Sequence, residues 1–214
     1  MNAHTASLRA YARLAPVIPV VTIEDARLSI DLAQTLVAAG LPVIEITLRT
    51  PAALDAIAAI AKAVPDAVVA AGTVLHKSQI TEVIDAGAKF IVTPGTPVRL
   101  AEDLAAASVP VMPGCATVSE ALTLAAMGFE ILKFFPAAIS GGAAWLKSVH
   151  GPLQTISFCP TGGIDLASAP SYLTLANVVC VGGTWITPMD ALRAADFVRI
   201  GKLASEAATL RAQS

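Results

Sequence analysis

Short runs of β-branched residues alternate eight times with alanine- and leucine-rich stretches, and no other feature restricts the fold as much. The strand-like runs are 17–21, 43–47, 67–71, 89–93, 109–112, 130–135, 154–159 and 177–181. Helical periodicity covers 25–39, 51–63, 78–86, 97–107, 117–127, 142–149, 165–174 and 189–211. The apolar pattern thus switches repeatedly from the strand period to the helix period. Strand ends fall near Thr47, Thr73, Pro94, Pro113, Pro136, Thr161 and Gly182, 19–26 residues apart. That spacing suits one strand plus one crossover helix. Near-continuous apolar strands point to parallel pairing with both sheet faces covered. The expectation is a single-domain α/β fold over 1–214, a closed (β/α)8 TIM barrel with residues 1–15 as an extra helix capping its bottom. A flavodoxin-like open sheet would use fewer strands.

Composition narrows the function classes. The chain is 55% hydrophobic and 14% charged, which excludes disorder. A net charge of −2 without a basic run argues against nucleic-acid binding. Leu166 to Met189 carries no charge and is long enough to span a bilayer. Pro170, Asn177, Gly182-Gly183 and Pro188 divide it into helix, turn, strand and loop, so no membrane association is expected. Residues 5–13 read as helix, and the proline-broken Pro16–Thr22 is too short for an export segment. Cys115, Cys159 and Cys180 form no CxxC pair and read as buried free thiols of a cytoplasmic protein. His4, His76 and His150 show no metal-ligand spacing, and no GxGxxG or Walker loop is present. Neither metal nor cofactor is expected.

In a barrel of this kind, chemistry gathers at the carboxyl ends of the strands. Lys133 lies inside the apolar run Glu130–Ala137. An ammonium is costly there, and a lysine held partly as neutral amine attacks carbonyl carbon. The bland alternative is a lysine whose stem packs while its head reaches water. Val43, Glu45, Thr47 and Arg49 share one strand parity, as do Ile131, Lys133 and Phe135. Glu45 and Lys133 are therefore expected in one interior, either as an inert ion pair or as nucleophile and proton shuttle. Thr73 stands at the rim, whereas Lys89, at a strand start, carries no chemistry. Two glycine pairs, Gly162-Gly163 and Gly182-Gly183, follow the last two strands, where barrels commonly bind phosphate.

Glu45–Thr50, Ala71–Val74, Thr93–Gly95, Lys133–Pro136, Cys159–Gly163 and Gly182–Trp185 resemble, in order, the class I 2-keto-3-deoxy-6-phosphogluconate (KDPG) and 4-hydroxy-2-oxoglutarate aldolase family. The resemblance runs from about Pro16 to the last helix. It implies reversible cleavage of the phosphorylated 2-keto acid to pyruvate and glyceraldehyde 3-phosphate, an Entner-Doudoroff step. It implies Lys133 as Schiff-base lysine, Glu45 as general acid/base, and Arg49 and Thr73 as carboxylate ligands. Pro94, Phe135 and Thr161 would line the pyruvyl pocket, and Gly162, Gly163, Gly183 and Thr184 would hold the phosphate. Thr184 stands where family members commonly carry serine, which bears on phosphate fit. A homotrimer is also implied. The competing readings are an aldolase for 4-hydroxy-2-oxoglutarate or the galactonate epimer, a phosphosugar isomerase or epimerase, and a non-catalytic phosphometabolite binder.

Overall fold

The computed structural model describes residues 3–210. Residues 1–2 and 211–214, which the expected domain and its first and last helices include, lie outside that range. Among the described residues there are nine strands: β1 (Val17–Val21), β2 (Val43–Thr47), β3 (Val68–Gly72), β4 (Phe90–Val92), β5 (Val111–Met112), β6 (Gly114–Cys115), β7 (Ile131–Phe134), β8 (Ser157–Pro160) and β9 (Val181–Gly183). Helix α1 (Ala3–Ala12) precedes β1, and α2 (Ser29–Ala38), α3 (Ala53–Ala63), α4 (Lys77–Asp85) and α5 (Val98–Ala105) follow the first four strands. After them come α6 (Val118–Ala126), α7 (Gly142–Val149), α8 (Ala169–Leu173), α9 (Met189–Arg193) and α10 (Phe197–Ala208).

The strands do not close into the expected (β/α)8 barrel. They form a six-stranded parallel sheet, ordered β5-β4-β3-β2-β1-β9, and a three-stranded sheet, β6-β7-β8. Two local features break the ring. Pro113 divides the fifth strand: Val111 and Met112 pair with β4, while Gly114 and Cys115 pair with β7. Proline has no N–H to continue a ladder, and the chain changes partner there. At the other seam only the bridges Phe158↔Val178 and Thr161↔Gly182 connect β8 toward β9. From one bridge to the next, the β8 side advances from 158 to 161 and its partner from 178 to 182. The extra residue acts as a bulge and interrupts regular pairing.

The helices form for ordinary reasons. Helix α3 buries Ala53, Ala56, Ile57 and Ile60, a single stripe at helical spacing. Helix α6 opens with a capping box, in which Thr117 Oγ1 accepts from the Glu120 N–H at 3.2 Å and Glu120 Oε2 from the Thr117 N–H at 2.9 Å. The last helical stretch breaks at Ala195, whose φ is 50°, into α9 and α10. Asp196 then caps α10 by accepting from the Arg199 N–H. Among the described residues no helix is long and apolar enough to cross a membrane.

Strand alternation sorts side chains into two layers. Ile44, Ile46, Leu132, Phe134 and Phe158 pack outward in the cluster shared with the helices. Ile18, Val43, Phe90, Met112, Ile131 and Cys159 pack inward in a second cluster that draws on both sheets. Leu8 and Ala12 of α1 join this inner cluster, and Tyr11 stacks on Phe90 with ring centroids 5.9 Å apart. Helix α1 therefore closes the inner layer. Leu8→Ala should destabilise the protein by about 2–5 kcal/mol, read as a lower midpoint in urea with an unchanged slope.

Candidate active site

Outer packing aims the inner side chains. Phe134 lies against Trp145 of α7 with centroids 4.4 Å apart and planes at 9°, and Trp145 meets Phe158 edge-on at 5.7 Å. With Phe134 held outward, its neighbour Lys133 must face inward. In the same way, Ile44 and Ile46 are fully buried on the outer face and leave Glu45 pointing in. Lys133 Nζ consequently donates to Glu45 Oε1 at 2.8 Å and lies 3.2 Å from Oε2. Each side chain is only 5% exposed.

Pairing arranges the other candidates around that contact. Lys133 is in register with Cys159, and Thr161 bridges to Gly182. Strand β1 links the remaining positions, since Val20 pairs with Glu45 and Pro19 with Gly183. The Phe135 ring centre is 5.7 Å from Lys133 Nζ, beside a cis bond to Pro136. Thr161 is buried, its Oγ1 4.0 Å from Cys159 Sγ. Gly162 and Gly163 have φ of 99° and 73°, the left-handed region that side chains rarely adopt. A Cβ on Gly163 would sit 2.6 Å from Ala138 Cβ. Thr184 is exposed immediately after Gly183.

Three candidates occupy the opposite side of the rim. Arg49 is exposed on the turn after β2, where its N–H donates to Thr47 O at 2.8 Å. The inward alternation of Val43, Glu45 and Thr47 ends with the strand, so alternation alone does not fix the direction of Arg49. Thr73 follows β3 with a φ of 60°, an uncommon conformation for a β-branched residue. Pro94 is half-buried beyond β4, and its backbone lies so close to Gly114 that a side chain there would overlap it.

Sequence reasoning passed over several groups that shape the same interior. Thr47 Oγ1 donates to Val21 O at 2.8 Å and lies 3.1 Å from Thr22 Oγ1, tying the ends of β1 and β2 beside Glu45. Thr93 Oγ1 accepts from the Gly114 N–H at 2.9 Å and pairs with Thr96 at 2.7 Å, closing the turn after β4. Gly72 sits directly against Glu45. A glycine interrupting an apolar strand signals close approach, and that signal was available at Gly72. Among the described residues no group of three His, Cys, Asp or Glu side chains gathers as a metal-binding cluster.

Gly182 and Gly183, expected in a turn after the last strand, lie within β9 itself and pair with Ile18 and Pro19. The site combines a buried lysine with a carboxylate at hydrogen-bonding distance, in an α/β chain with a left-handed glycine turn after β8. That is the equipment of a Schiff-base enzyme. The family model for KDPG and KHG aldolase matches residues 8–203. The chain is 46% identical over 192 residues to the "KHG/KDPG aldolase" of Escherichia coli K12, covering 90% of each. It is 43% identical over 199 residues to the "2-dehydro-3-deoxy-phosphogluconate aldolase" of Zymomonas mobilis, covering 93% of this chain and 94% of that one. Its structure superposes with a TM-score of 0.91 on the KDPG aldolase of Legionella pneumophila, a crystal structure with pyruvate captured at low pH as a covalent carbinolamine intermediate. Identity there is 39%, with 94% and 97% of the two chains covered. The chain belongs to the KDPG and KHG aldolase family.

The thiols near the site are shielded. Cys180 donates to Cys159 at 3.5 Å inside the inner layer. That hydrogen bond, followed by burial, pushes the Cys180 thiol well above its ordinary range. Burial first, and then the Glu120 charge, pushes Cys115 up to about 12. A raised thiol stays protonated in the native state, whereas the unfolded chain ionises from the ordinary thiol value of 9.0. Native stability is therefore full below that value and falls as pH rises toward about 12. At pH 8 neither Cys115 nor Cys180 should react with iodoacetamide until guanidinium unfolds the protein, as peptide mass spectrometry would show.

Proposed function

We propose that this protein is a class I aldolase that reversibly cleaves 2-keto-3-deoxy-6-phosphogluconate to pyruvate and glyceraldehyde 3-phosphate, with Lys133 as nucleophile and Glu45 as proton shuttle. The observation carrying this reading is the buried 2.8 Å contact between the two side chains. A charged pair and a neutral pair differ by one proton moved along that contact. In a dry interior two ions are expensive to desolvate, and transfer to Glu45 leaves an uncharged amine. The contact thus keeps the amine one proton transfer from its nucleophilic form.

Neutral Lys133 attacks the C2 ketone while protonated Glu45 supplies the oxygen with a proton, giving a carbinolamine. Glu45 then moves the nitrogen proton to the hydroxyl, and water leaves an iminium and a carboxylate. That carboxylate removes the C4 hydroxyl proton as the C3–C4 bond breaks, and the bond pair enters the iminium as an enamine. Glyceraldehyde 3-phosphate departs. Glu45 returns its proton to C3, and hydrolysis releases pyruvate and restores the neutral amine.

Arg49 and Thr73, at the rim above Glu45, hold the substrate carboxylate in this reading. A guanidinium binds a carboxylate with two parallel hydrogen bonds that lysine does not reproduce. Pro94, Phe135 and Thr161 flank the pyruvyl carbons. The N–H groups around Gly162, Gly163 and Gly183 and the Thr184 hydroxyl receive the phosphate. Threonine retains a hydroxyl donor there and adds a methyl group. The same proposal includes one domain over 1–214, supported by an unbroken family match, and a cytoplasmic location, supported by three buried free thiols. It also includes a homotrimer, supported by an exposed apolar set comprising Leu75, Val98, Val118 and Leu122.

Borohydride reduction in the presence of pyruvate should place a stable adduct on the peptide containing Lys133, and Lys133→Ala should abolish both adduct and cleavage. Retained trapping in that variant would remove Lys133 as nucleophile. Glu45→Gln should lower kcat by roughly 10²–10⁴-fold while slow imine formation persists. Turnover of 4-hydroxy-2-oxoglutarate should fall below that of the phosphorylated substrate; equal kcat/KM would make the phosphate contacts dispensable.

A further inference from the structure

Gly72 ends β3 opposite Thr47 of β2. Its φ lies outside the left-handed region, so backbone conformation does not demand glycine. Space does. A Cβ at this position would stand 2.6 Å from Glu45 Cγ and 2.8 Å from Cδ, and would overlap Oε1. Real carbon contacts do not come that close, so one of the two groups must yield. The strand is held in place, because Gly72 O accepts from the Leu48 N–H at 2.8 Å. Ala71 and Ile46 are fully buried on the outer face and block retreat in that direction. The group free to move is the Glu45 side chain, which can rotate at its own torsions.

We propose that Gly72 is a positioning residue for the reaction: the missing side chain makes the space that holds the Glu45 carboxylate against Lys133. This inference rests on the reading of Glu45 as proton shuttle. Any Cβ at 72 turns the carboxylate off the 2.8 Å line to Lys133 Nζ. Proton transfer to the reacting atoms then slows, while substrate binding through the rim and the glycines after β8 and in β9 continues. The fold survives, because a rotatable side chain yields rather than a strand.

The test is a double-mutant cycle on the intact protein with the phosphorylated keto acid, following kcat and KM. Gly72→Ala should lower kcat by about 10²-fold or more and leave KM within about threefold. In a Glu45→Ala background the same substitution should change kcat by less than about threefold, because the overlapping atoms are gone. A structural role unrelated to Glu45 would slow both backgrounds equally, and that result overturns the proposal. So does a Gly72→Ala enzyme with normal kcat. If Gly72→Ala does not fold, the Glu45→Ala/Gly72→Ala protein should fold, as judged by circular dichroism; failure of both also overturns it. The single Glu45→Ala protein separates the two levels. Normal turnover there defeats the proton-shuttle reading and this inference together. Slow turnover there with fast Gly72→Ala defeats the inference alone.

Discussion

The contact between Lys133 and Glu45 joins the two sheets through the inner layer. Glu45 belongs to the six-stranded sheet and Lys133 to the three-stranded one. Each charge by itself would be a severe liability at 5% exposure, and each is tolerable because the other is present. Replacing the pair with aliphatic residues would serve a buried core at least as well. In the proposed reading the arrangement serves chemistry instead: one proton moved between nitrogen and oxygen would supply a nucleophile and an acid.

Precision in that contact comes from surroundings that are not themselves reactive. Phe134 stacked on Trp145 prevents β7 from presenting another face, and the buried isoleucines on either side of Glu45 do the same for β2. The Thr22–Thr47 hydrogen bond joins the strands just above Glu45. Opposite them, Gly72 and Gly182 withhold side chains where Glu45 and Thr161 need room. Large outer residues such as Phe134, Ile44 and Ile46 fix orientation, while the glycines at 72 and 182 leave room beside Glu45 and Thr161. Thr73, in its strained conformation, marks the rim where this dense packing gives way to solvent.

Much of this was legible in the chain. Period-two and helical patterns located most of the strands, although the last, expected over 177–181, forms over Val181–Gly183; parity put Glu45 and Lys133 in one interior, because alternation depends on local geometry alone. Arg49 lies on a turn beyond the last ladder residue, where strand parity no longer sets direction. Eight apolar runs suggested a closed ring. Closure, however, depends on register between distant segments, and periodicity carries no register across Pro113 or between Phe158 and Gly182. A proline and a one-residue offset, both visible as letters, acquire their meaning only when the partner strands are known.

The sequence by itself determined the alternating α/β order, the inward direction of Glu45 and Lys133, and the Gly162-Gly163 turn after the strand that ends at Pro160. These follow from short-range sterics and hydrophobic periodicity. Only the tertiary structure decided that the strands divide into two sheets, that Lys133 and Glu45 come within 2.8 Å, and that Gly72 stands where any side chain would displace the carboxylate. Those are distances between residues far apart in the chain, set by packing against neighbours that no local pattern encodes.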